Sequence, residues 1–220
     1  ILTVNDVTMT ATCQVLNALV WVSFLCSFNL LGVLMGTFLF PGIFPYLFGR
    51  HGTMILAIVV LPIFMRMKLK AEKFEYNVET RRHLLLYSLN MGIMLGSLFP
   101  LHSLMEVILL PLLPLCLAFS YQILSGAIDR RLSLSLGCLG ISTVLFMATF
   151  FSFNSLSLLN IYSHITTLFI NTLMLMFILG EICTPEQSSS GYEMIIIVLY
   201  SIVRLLADSL GRTYRYKYYY

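Results

Sequence analysis

Hydrophobic residues fall in long unbroken runs along this chain. Approximate bounds are 11–40, 52–67, 83–101, 107–124, 132–153, 158–180 and 194–210, with a basic, tyrosine-rich tail over 211–220. Alternation of apolar and polar positions, which marks the strand of a membrane barrel, is missing from these runs. A continuous apolar stretch of about 20 residues reads instead as a membrane-crossing helix, because lipid offers no partner to an open backbone. The pattern predicts an all-α integral membrane protein of seven transmembrane helices in a single polytopic domain over 1–220.

The punctuation fits that reading. Pro41 and Gly42 close the first run, which is longer than a bilayer needs and so predicts tilt or an interfacial start. That run follows a polar stretch and exceeds signal-peptide length, so it reads as a span. The aromatic stretch 44–48 suits an interface belt before the second run. Two GxxxG pairs, Gly32 with Gly36 and Gly92 with Gly96, predict close helix packing. The last run is short and carries Arg204 and Asp208.

Charge orients the runs. Arg66, Lys68, Lys70, Lys73, Arg81 and Arg82 cluster between the second and third runs, beside Glu72, Glu75 and Glu79. Arg130 and Arg131 sit between the fourth and fifth. Only Arg50 lies between the first and second. The excess of Lys and Arg on one face predicts a cytosolic N-terminus, with Arg81, Arg82, Arg130 and Arg131 in cytosolic basic loops. Arg212, Arg215 and Lys217 conflict with that face if the last run crosses, so the side of the C-terminus stays open.

Composition narrows the class. Hydrophobic residues make up 59% of the 220 and charged residues 10%, with a net charge of +3. A soluble chain of this size cannot bury so much apolar surface, and a disordered one would be poor in it. The small, scattered positive charge argues against a nucleic-acid partner. Five cysteines (Cys13, Cys26, Cys116, Cys138 and Cys183) are odd in number and lack CxxC spacing, which suits packing or lipid-facing thiols. No Asn-x-Ser/Thr glycosylation acceptor occurs.

Polar residues within the runs supply the candidate chemistry. Arg204 and Asp208 are four apart and share a helix face, as an interior polar path, a structural ion pair, or side chains snorkelling at a helix end. Glu181 closes the sixth run and can titrate near neutrality if desolvated, or stay ionised at the interface. Glu106 suits the N-terminus of the fourth helix. His83 and His102 read as interfacial. His164 and Asn171 face nearly the same way in the sixth run and suit a helix–helix hydrogen bond. No nucleophile–base pair, phosphate loop or metal-ligand spacing appears, so the chain does not read as an enzyme and calls for no bound cofactor.

The order of several short segments resembles the Bax inhibitor family, the transmembrane Bax-inhibitor-motif proteins. Glu79-Thr80-Arg81-Arg82 and then Gly92-Ile93-Met94-Leu95-Gly96-Ser97 are similar to that family's ExxR and GxxLGP segments, with Ser97 in place of Pro. Leu117-Ala118-Phe119 resembles its TAF. Asp129-Arg130-Arg131 leading into Leu132-Ser133-Leu134-Ser135-Leu136-Gly137-Cys138 resembles its RRRxYLxLGG. The likeness extends over about 7–210. It implies seven helices with the last central in a six-helix ring, residence in the endoplasmic reticulum, and restraint of cell death through a pH-dependent Ca²⁺ leak. Ca²⁺ would then be a transported ion. Of the two aspartates tied to that leak, the first falls on Glu181. The second falls on Arg204 or Ser201 according to the gap, with Asp208 one turn beyond Arg204. The partners expected are the lipid bilayer and other membrane proteins, cell-death regulators among them. The alternative is a non-conducting interaction protein working through its small-residue faces.

Overall fold

The computed structural model describes residues 9–71, 78–98, 112–126 and 131–153, with short helical pieces at 169–170, 172–173, 175–176, 198–199 and 201–202. Among the described residues every regular element is helical. They are α1 (Met9–Phe38), α2 (Ile43–Ile55), a π-helical turn (Leu56–Val60), α3 (Leu61–Ala71), α4 (Val78–Leu98), α5 (Leu112–Leu124) and α6 (Arg131–Phe153). Among the described residues two stretches are long and apolar enough to cross a membrane, Val15–Phe38 and Ile43–Lys68. Parts of the third, fourth, sixth and seventh runs, at 99–101, 107–111 and most of 158–180 and 194–210, lie outside the described residues, as does the tail 211–220.

Helix limits follow local chemistry. α1 runs for 30 residues, about 45 Å at ~1.5 Å per residue, which exceeds a hydrocarbon core of about 30 Å. It stops just before Pro41 and Gly42, where Gly42 takes a left-handed φ of 73° that a residue with a Cβ rarely adopts. α2 begins at Ile43, earlier than the pattern placed it, and draws the aromatic stretch 44–48 into a helical turn. Gly49 then breaks the helix (φ 69°, ψ 163°), and Thr53 Oγ1 donates to the Gly49 carbonyl at 2.9 Å. α4 begins at Val78 rather than 83, taking the charged segment as its first turn, where Glu79 suits the positive end of the helix dipole.

The π turn has a cause in Pro62. Proline has no N–H, and its ring would press on the carbonyl four residues back, at Ile58. The widened turn instead joins the Leu61 N–H to the Leu56 carbonyl. Each α-helical residue turns the chain by ~100°, so an unbroken α-helix would put Met65 about 120° round from Thr53. The wide turn winds back most of that. Thr53, Ala57 and Met65 are all buried, while Val59, Val60, Ile63 and Phe64 stay exposed.

The chain forms two compact units. One contains the end of α1 from Leu25, α2, the π turn, α3 and α4, and takes in the piece at 198–202. α4 is its most enclosed helix, burying Leu84, Tyr87, Ser88, Met91, Gly92, Leu95, Gly96, Ser97 and Leu98. The other contains the start of α1 with α5, α6 and the pieces at 169–176. There α5 and α6 pack as a hairpin around Leu117, Tyr121, Leu134 and Cys138.

Candidate functional site

The four GxxxG glycines meet across one seam between α1 and α4. A Cβ placed on Gly32 would run into the Leu89 carbonyl oxygen, and one on Gly36 into that of Ile93. From the other side, Gly92 faces the carbonyl of Asn29 and Gly96 that of Val33. Only hydrogen fits at each point, so the glycine Cα–H groups abut carbonyl oxygens, a weak bond that becomes useful in lipid.

Register gives direction. Gly32 meets Leu89 and Gly36 meets Ile93; Gly92 meets Asn29 and Gly96 meets Val33. Numbers rise together, so α1 and α4 are parallel. The chain therefore returns through α2, the π turn and α3 before α4 begins.

Side-chain hydrogen bonds fasten the seam. Asn29 Nδ2 donates to the Ser88 carbonyl at 3.2 Å, and Ser88 Oγ to the Leu25 carbonyl at 2.6 Å. Thr37 Oγ1 lies 3.2 Å from the Gly96 carbonyl and 2.9 Å from that of Val33 in its own helix. The sequence reading passed over Asn29, Thr37 and Ser88. Ser88 had a visible signal, because Ser88, Gly92 and Gly96 continue one small residue every fourth position. Asn29 and Thr37 had none beyond being polar in an apolar run, since their partners lie 59 residues away.

The seam is electrically neutral. α1 carries no Asp, Glu, Lys or Arg, and those of α4 are confined to its first two turns, at Glu79, Arg81 and Arg82. Arg81 is half-buried and Arg82 exposed. Such a contact holds helices together and has no group to move a proton. A second buried polar contact joins α5 to α6, where the Ser120 and Ser142 hydroxyls are 3.0 Å apart and Ser120 also donates to the Cys116 carbonyl at 2.7 Å.

Of the ion-path candidates, Ser201 is described. It is 3% exposed, and its hydroxyl lies 3.6 Å from the Met91 sulfur on the buried face of α4. Glu181, Arg204 and Asp208 lie outside the described residues, as do Arg130, Glu106, His102, His164 and Asn171. Arg131 opens α6. Among the described residues no group of three or more His, Cys, Asp or Glu is placed to hold a metal ion. Comparison of the chain with protein-family models, curated proteins and solved structures finds no match.

Proposed function

We propose that this chain is a polytopic membrane protein of the Bax-inhibitor type, with seven crossings and the last enclosed by the other six. Its N-terminus is cytosolic, it resides in the endoplasmic reticulum, and it restrains cell death by governing Ca²⁺ leak. The observation that carries the membrane part is the exposure of Ile43–Lys68, of which only 11% is buried. A core helix of a soluble protein would hide its apolar side chains. This one presents Ile55, Val59, Val60, Ile63 and Phe64 outward, as a lipid-facing helix does. The parallel pairing of α1 and α4 supports successive crossings, because a chain that spans, returns and spans again brings its first and third passes into the same direction.

The Ca²⁺ part rests on the resemblance and on Glu181. Reconstitution of the full chain into liposomes containing a Ca²⁺ dye tests it. Flux should rise or fall between about pH 6 and about pH 8, the window open to a desolvated carboxylate, and Glu181→Gln should flatten that dependence. Absence of flux over the whole window would remove the leak proposal.

One observation favours a second reading, the non-conducting interaction protein. In the alignment that puts the family's second aspartate on Ser201, a neutral hydroxyl against Met91 stands where a proton-sharing carboxylate is expected. A protein of that kind carries no flux at any pH and co-purifies with a membrane partner, and its docking face lies elsewhere than the GxxxG rows, which α1 and α4 fill for each other.

A further inference from the structure

The stretch from the end of α1 into the first turns of α2 is apolar, aromatic and exposed. Phe38, Leu39, Tyr46, Leu47 and Phe48 are large, apolar and mostly exposed, with Tyr46 at 90%. Two left-handed glycines, Gly42 and Gly49, bracket the helical turn over 43–48. Gly49, at φ 69° and ψ 163°, occupies a region essentially restricted to glycine. A Cβ there would touch nothing within 4 Å, so packing does not impose the break and backbone freedom permits it. Exposed Arg50 and His51 follow directly, and no Asp or Glu occurs between Val7 and Ala71.

Residues 51–68 extend about 27 Å at ~1.5 Å per residue, a few ångströms short of a hydrocarbon core of about 30 Å, so a crossing over them relies on Arg66 and Lys68 reaching outward to the headgroups. The turn over 43–48 then lies outside the crossing.

We infer that 38–48 is a foot lying in the interface of one phospholipid leaflet. Its apolar side chains enter the headgroup–acyl boundary, and Arg50 and His51 sit at the phosphates. The exposed Arg50 selects this occupant, because a guanidinium directly after the aromatic turn complements phosphate oxygens. Amphipathic aromatic rings such as Tyr46 settle at that depth. The inference rests on the membrane reading above, and its test separates the two.

Tyr46→Trp and Val59→Trp, each combined with Trp21→Phe, give full-length chains with a single tryptophan, one probing the foot and the other the crossing. Each is reconstituted into phosphatidylcholine vesicles whose acyl chains carry bromine either near the headgroup or near the bilayer centre. The foot tryptophan should be quenched mainly by shallow bromine and the crossing tryptophan mainly by deep bromine. Gly49→Ala in the Tyr46→Trp chain should lose the shallow quenching as the turn realigns with the crossing helix. A foot tryptophan quenched by aqueous iodide and by neither lipid overturns the foot and leaves the crossing intact. One silent to both iodide and bromine means that protein covers the patch, and overturns it equally. A crossing tryptophan unquenched by either lipid removes the membrane reading and the foot with it.

Discussion

Gly36 and Gly140 differ in what lies beyond the Cα. At Gly36 any Cβ collides with the Ile93 carbonyl, which is backbone and cannot swing away; at Gly140 nothing stands within 4 Å. Gly36→Ala should therefore cost more than about 2 kcal/mol of overpacking strain. Gly140→Ala should gain about 0.5–1 kcal/mol by restricting the unfolded chain in a helix interior. Unfolding midpoints of the purified chain in detergent would show the opposite signs, and equal midpoints would mean that the seam is loose. Hydrogen bonds contribute less. Ser88→Ala is expected to cost about 1 kcal/mol, and a double-mutant cycle on Ser120 and Ser142 should return a coupling of about 0.6 kcal/mol, the scale of such bonds in membrane bundles. The glycines were legible because a GxxxG row needs no knowledge of its partner. The hydroxyl and amide bonds were not, because they depend on how two helices far apart in sequence come into register.

For an element, the relevant quantity is the angle between its faces. The π turn restores Met65 to the side of Thr53 and Ala57, in effect absorbing one surplus residue. Removing that residue should leave both faces where they are. Deletion of Val59, which is half exposed and has little packing to lose, is expected to turn Leu56–Val60 into ordinary α-helix and to shift stability by less than about 1 kcal/mol. Insertion of one alanine at the same place should swing α3 by ~100° and expose Met65. Alkylation of Met65→Cys in the deleted and inserted chains reads the difference; equal labelling would refute the account. The hydrophobic runs gave α1 and α6 to within two residues of their limits. They placed α2 and α4 too late, because an aromatic belt and a charged segment fall outside the continuous apolar runs that marked the helices, although both are helical. The π turn left no trace in the periodicity, although Pro62 marked its place. Charge suggested an orientation for the runs but supplied no arrangement for the later ones.

For the whole molecule the parallel seam, taken with the proposed crossings, predicts sidedness: the start of α1 and the start of α4 should share one membrane face, with the connection 39–42 on the other. Because the sequence lacks any glycosylation acceptor, one can be inserted on a flexible spacer at each place and expressed with microsomes. Acceptors ahead of Met9 and within 72–77 should stay bare, and one after Gly42 should be modified. Modification of the first two with a bare third would reverse the cytosolic assignment, and a mixed outcome would break the alternation of crossings. The seam also imposes a schedule on synthesis. Asn29 finds its acceptor 59 residues later in the chain, a wait of about 3 to 12 s at ~5–20 residues per second. On the proposed membrane reading, a nascent α1 would spend that wait with a bare amide and two glycine notches in the bilayer and nothing to fill them. A photo-crosslinker at Val33 should therefore capture the insertion machinery in ribosome-bound chains that end before α4, and release it once α4 has emerged.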